Sequence, residues 1–116
     1  MIDKDYTWDP LLPGSNDQKK LYIRSNLSLA AMLEQLAEEA SELSQAALKK
    51  ARKLREENPT PKTMSEIDDD LSEEIADVNL CVDILKHSVP QKIYEFKLDR
   101  WYRRIIQKRE EDNARN

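Results

Sequence analysis

Glu39 and Glu42 stand three residues apart in Glu38-Glu39-Ala40-Ser41-Glu42, and Glu74 and Asp77 repeat the interval in Glu73-Glu74-Ile75-Ala76-Asp77. Residues at i and i+3 share one face of an α-helix. Each pair borders an apolar run: Leu36, Ala40 and Leu43 beside the first, Leu71, Ile75 and Val78 beside the second. Packing the two apolar edges together draws four carboxylates to one seam, where they repel one another and are costly to desolvate. A divalent cation removes that penalty. Mg²⁺ is the natural choice, with Mn²⁺ as a substitute, because it is hard, takes oxygen ligands, keeps several waters and also binds phosphates. No His or Cys is spaced with these acids so as to suggest zinc. The competing reading is a solvated acidic surface, since Asp68-Asp69-Asp70 and Glu110-Glu111-Asp112 show how readily this composition produces acid clusters.

The elements that carry these acids are helices. Glycine occurs once, at Gly14, and the five prolines are Pro10, Pro13, Pro59, Pro61 and Pro90. Long stretches between them are rich in Ala, Leu, Glu, Lys, Gln and Arg, the strong helix formers, so the fold class is all-α. Residues 1–25 read as an irregular arm with a short helix from about Asp17 to Arg24. Residues 26–108 read as a helical domain, and 109–116 as a polar, frayed tail. Within the domain, a long helix runs from about Asn26 to Glu57, its stripe being Leu29, Leu33, Leu36, Ala40, Leu43, Ala47 and Leu54. Ser25-Asn26 or Ser28 is its expected cap. After Asn58-Pro59-Thr60-Pro61, a second helix runs from about Glu66 to His87, capped by Ser65, with Ile67, Leu71, Ile75, Val78, Val82 and Leu85 as its stripe. Pro90 breaks it. The last helix starts near Gln91 and reaches Lys108 or beyond, with Ile93, Phe96, Trp101 and Ile105 on its apolar edge. The steps of three and four in each stripe are those of a helix with one buried face.

With 39% apolar and 36% charged residues over 116 positions, the core is thin. Long amphipathic helices with so little to cover them predict a homo-oligomer, a dimer or tetramer. A net charge of −4 argues against a nucleic-acid surface. The basic stretch Lys97, Arg100, Arg103, Arg104, Lys108 and Arg109 is either a solvated helix face or a set of anion ligands. Cys81, the one cysteine, has no partner for a disulfide and reads as a small core residue. The charged N-terminal residues do not resemble a signal peptide and no apolar run suits a membrane span, so the expected location is cytoplasmic.

Read together, Glu38-Glu39-Ala40-Ser41-Glu42-Leu43 and Glu73-Glu74-Ile75-Ala76-Asp77-Val78 resemble the MazG-like family. That family belongs to the all-α NTP pyrophosphatase superfamily, with the dimeric dUTPases, dCTP pyrophosphatases and phosphoribosyl-ATP pyrophosphatase. Its signature is ExxE, a linker, then ExxD, and the resemblance covers roughly residues 29–104. It implies an antiparallel helical bundle in which Glu39, Glu42, Glu74 and Asp77 hold Mg²⁺. The implied reaction is hydrolysis of a nucleoside triphosphate between its α- and β-phosphates, giving the monophosphate and pyrophosphate. Glu39 would orient or deprotonate the water, with Glu38 as a substitute. Such proteins usually carry a lysine, an asparagine and an arginine downstream. Lys97 fits the lysine and Arg104 the arginine, while Trp101 stands where the asparagine would fall and Arg100 lies next to it. Lys97 with Arg100 or Arg104 would then bind the β- and γ-phosphates, and Trp8, Tyr22, Trp101 or Tyr102 would stack on the base. The interval from Glu42 to Glu74 is longer than the resemblance leads one to expect, and the Pro59–Ser65 connection takes up the excess. Two alternatives remain open: a phosphoribosyl-ATP pyrophosphatase, and a non-catalytic helical oligomerisation module.

Overall fold

Short polar side chains set where the first three helices begin. Ser15 accepts from the Gln18 backbone N–H (3.1 Å) while the Gln18 side chain accepts from the Ser15 backbone N–H (2.8 Å), a capping box. Gly14 (φ +147°) precedes it, and a Cβ there would stand 3.1 Å from Gln18 Oε1, so the missing side chain leaves the box its room. The helix α1 spans Asn16–Asn26. Ser28 accepts from Ala31 N–H and opens α2, Leu29–Arg55. Thr63 and Glu66 form a second capping box that opens α3, Met64–Leu85. The start of α3 is thus two residues earlier than the sequence reading places it, with Thr63 rather than Ser65 as cap. The Pro90 carbonyl accepts from Ile93 N–H (3.0 Å), and α4 spans Gln91–Arg115. The computed structural model describes residues 14–57 and 59–115; among them the secondary structure is entirely helical, with no strand. None of the helices described is long and apolar enough to cross a membrane.

The chain divides into two units, Met1–Lys86 and His87–Asn116. In the first, α2 and α3 form an antiparallel hairpin. Its connection is short, and the cross-helix pairs run in opposite directions: Lys50 meets Asp68 at 2.7 Å near the turn, whereas Glu39 and Asp77 face each other farther from it. Both helices end in a left-handed residue, Glu56 (φ 55°) and Lys86 (φ 52°), whose N–H closes on a carbonyl of the last turn. Packing of α1 on α3 is fixed by two polar ties. Arg24 Nε donates to the Ile84 carbonyl at 2.8 Å, satisfying one of the carbonyls a helix C-terminus leaves open, and Lys20 pairs with Asp83.

Ile67 (1% exposed) and Ile84 (7%) are the buried core among the described residues. The half-buried edge of α2 follows Met32, Leu36, Glu39, Leu43, Ala46, Lys50 and Lys53, and that of α3 follows Ile67, Leu71, Glu74, Val78, Cys81 and Leu85. Leu29, Leu33, Leu54, Ile75 and Val82, which the sequence reading places in the same stripes, are exposed. The apolar arc is broader than one neighbouring helix covers.

The second unit is α4. Its residues are exposed, and none is buried. The helix continues through 109–115, where the sequence reading places a frayed tail; Lys108–Asp112 (3.2 Å) and the helix-forming composition carry it on. Trp101, on the predicted apolar edge, is 69% exposed.

Candidate metal centre

The hairpin seam carries an acid at one position of each helix where a leucine would ordinarily sit. On α2 the edge steps Leu36, Glu39, Leu43; on α3 it steps Leu71, Glu74, Val78. Glu39 and Glu74 are therefore half-buried, while Glu42 and Asp77, three residues on in each helix, stand exposed at the rim. One carboxylate oxygen from each of the four residues can be chosen so that all lie within 4.8 Å of one another.

The local electrostatics are those of a crowded acid site. Glu39 Oε1 accepts from the Gln35 side-chain amide at 2.8 Å, one helical turn back. Glu39 Oε2 and Glu74 Oε2 are buried and have no hydrogen-bond donor. Among the described residues no lysine or arginine pairs with any of the four. Burial, then the charges of Glu42 and Asp77, push the Glu39 carboxyl above its ordinary range, and the Gln35 bond only partly offsets them. Cys81, half-buried one turn beyond Asp77, has its thiol pushed up by burial and by Glu39 and Asp77. It is a neighbour of the acid site rather than the plain core residue the sequence suggested.

Buried carboxylate oxygens without a donor are rare because each costs the desolvation of a charged acceptor. An all-oxygen donor set of this kind fits a hard divalent cation such as Mg²⁺ or Mn²⁺, which would satisfy the orphaned oxygens and offset half of the carboxylate charge. The residues that would hold it are Glu39, Glu42, Glu74 and Asp77.

Beside the four acids, a cleft of about 260 Å³ continues along the α2–α3 groove towards the turn. Glu42, Gln45, Ala46 and Lys49 of α2 line it with Ile67, Asp70 and Glu74 of α3 and Lys62 of the connection. Lys49 and Lys62 were not singled out from the sequence. The signal was present for Lys49, which lies seven residues after Glu42 and so on the same helix face.

Of the remaining predicted site residues, Glu38 is exposed and outside the cluster. Tyr22 is exposed on α1. Lys97, Arg100, Trp101, Tyr102 and Arg104 are exposed residues of α4, in the second unit. Arg100 lies over the Phe96 ring, 5.8 Å from its centroid, and Arg103 pairs with Asp99 at 2.9 Å. Trp8 lies outside the described residues. No protein-family model, curated protein or solved structure matches this chain.

Proposed function

We propose that this chain is a Mg²⁺-dependent nucleoside triphosphate pyrophosphohydrolase of the MazG-like type, working as a homo-oligomer. The observation that carries the reading is the convergence of Glu39, Glu42, Glu74 and Asp77 within 4.8 Å, with two buried carboxylate oxygens lacking any donor. A protein that only needed soluble helices would keep such acids on its outer faces.

The bound metal would neutralise phosphate oxygens and make a coordinated water more acidic. Glu39 is the group placed to take a proton. With no cation bound, burial and its acidic neighbours hold its carboxyl above the ordinary range; a cation among the same carboxylates would draw it back down. Gln35 holds one Glu39 oxygen and so orients the other. Attack of the water oxygen on the α-phosphorus breaks the bond to the bridging oxygen, and pyrophosphate leaves with that oxygen while the monophosphate remains.

The test is a metal-dependent screen. Thermal stability is measured with EDTA, Mg²⁺ and Mn²⁺, and a panel of NTPs, dNTPs and phosphoribosyl-ATP is then assayed for pyrophosphate release. Either metal is expected to raise the melting temperature, and at least one nucleotide is expected to be turned over. A chain that gains no stability from either metal and releases no pyrophosphate from the panel is an acidic helical module instead.

A further inference from the structure

The cleft beside the acids has a charge arrangement that a bound cation would make less negative. Among its lining side chains, Lys62 Nζ is paired with Asp70 at 2.7 Å, whereas Lys49 has no carboxylate partner among the described residues. With the carboxylates uncompensated, Lys49 faces Glu42 and Glu74 and the cleft is unfavourable to an anion. A divalent cation held by the four acids would offset half of their charge, and beside it the ammonium of Lys49 is the cationic side chain in the cleft not already paired with a carboxylate.

The geometry fits a chain of phosphates that starts at the acids and runs towards the turn. Glu42, Gln45, Ala46 and Lys49 are one face of α2, and seven residues of helix rise about 10 Å. Helical side chains lean towards the N-terminus of their helix, so the Lys49 stem inclines back towards Glu42 rather than away from it. Gln45 adds an amide donor part-way along, and Lys62 stands on the opposite wall, at the foot of α3.

We propose that the β- and γ-phosphates of the substrate, and the pyrophosphate they become, lie in this cleft with Lys49 as their main ligand and Lys62 as the second. The assignment rests on the metal-dependent pyrophosphohydrolase reading above, and it places the leaving group on α2 and the α2–α3 connection rather than on the basic residues of α4. Lys49 and Lys62 bind the departing anion. Binding depends on the cation: the divalent ion offsets half of the four carboxylate charges and, together with Lys49, supplies the positive partners the polyphosphate needs.

Inorganic pyrophosphate is the probe. Its affinity for the full chain is measured by calorimetry with saturating Mg²⁺ and again with EDTA, for the wild type, Lys49→Ala, Lys49→Arg, Lys50→Ala and Lys97→Ala. The Mg²⁺-induced rise in melting temperature is recorded for each, which also checks that each variant folds. Lys49→Ala is expected to keep the Mg²⁺ response and to bind pyrophosphate about tenfold more weakly or worse, as loss of a charge-assisted hydrogen bond predicts. Lys49→Arg restores most of the affinity. Lys50→Ala, which removes the neighbouring lysine that pairs with Asp68, and Lys97→Ala leave it unchanged. In EDTA the wild type binds pyrophosphate weakly. If Mg²⁺ stabilises the wild type but Lys49→Ala binds pyrophosphate as the wild type does, or loses no more than Lys50→Ala, the cleft assignment is wrong while the metal centre stands. If Mg²⁺ has no effect on the wild type, both fall.

Discussion

Glu39 and Glu74 each stand among apolar residues in the seam between two helices, and this placement is the most informative fact about the protein at the scale of single residues. A half-buried acid between Leu36 and Leu43, opposite another between Leu71 and Val78, costs stability in the absence of a counter-charge. Glu74→Gln relieves part of that cost. It is expected to leave the EDTA-treated protein as stable as the wild type or more so, while losing the gain in melting temperature on adding Mg²⁺ and the turnover that depends on it. A ligand present at a hundred times its dissociation constant stabilises by about 2.7 kcal/mol, so the lost gain is readily measured. Glu38→Gln, on an exposed residue beside the site, keeps the metal response. Equal behaviour of the two variants would remove the distinction between the four converging acids and their neighbours. The identity of these four residues was readable in the sequence because the i, i+3 spacing and the flanking apolar residues are local patterns. That Glu39 and Glu74 enter the seam while Glu42 and Asp77 stay at its rim was not, because it depends on the rotation of one helix against the other.

The elements repeat this division between local and non-local information. Ser28 as cap of α2 and the break at Pro90 follow from short-range chemistry and are found as expected. Thr63 is a legible cap: Thr63 and Glu66 have the capping-box spacing, and so do Ser65 and Asp68, but Glu at the third position completes the box. The expected stripes coincide with the inward edges at Leu36 and Leu43 of α2 and at Ile67, Leu71, Val78 and Leu85 of α3, and part from them at the positions between. Steps of three and four fit two adjacent edges of a helix equally well, and the choice between Leu33 and Met32, or Ile75 and Glu74, is made by the partner helix. The docking of α1 was not legible, since Arg24 bonds the Ile84 carbonyl sixty residues away. The other tie, Lys20 to Asp83, makes a pH prediction. The Lys20 ammonium, by its hydrogen bond and then its charge, holds Asp83 below its ordinary 3.8, and Asp83 in the same way holds Lys20 above its ordinary 10.5. The depressed carboxylate contributes stability above its unfolded value and loses it as pH falls through its folded value; the raised lysine contributes fully below its unfolded value and loses it as pH climbs through its folded one. Lys20→Met is therefore expected to lower the urea midpoint by a small, constant amount between those two ordinary values. The difference from wild type closes at either extreme, and it stays small because Asp83 is exposed and Lys20 partly so. A difference that widened in acid would show that the pair does not tie α1 to α3.

At the scale of the molecule the question is what the remaining apolar surface is for. Two buried residues among those described are a small core for helices whose backbone must be ordered. On the hairpin, Leu29, Leu33, Leu48, Ile75, Leu80 and Val82 are exposed, and on α4 so are Phe96, Trp101 and Tyr102. Isolated exposed leucines need no explanation, but helices with apolar residues on a second edge ordinarily bury that edge. A second copy of the chain is the partner the composition itself suggests, because the same excess is present on every copy and a twofold interface pairs a surface with itself. If so, folding and association are coupled, and the melting temperature rises with protein concentration. Sedimentation at micromolar concentration is expected to give a dimer or a larger assembly. Leu33→Glu and Val82→Glu, each placing a charge on the exposed apolar edge without touching the four acids, are expected to weaken the assembly and lower its melting temperature together. A monomer at all concentrations, with a melting temperature independent of dilution and unmoved by either substitution, would mean that these helices are stable with their apolar edges in water. The acid-bearing seam would then have to draw its stability from a cation bound there.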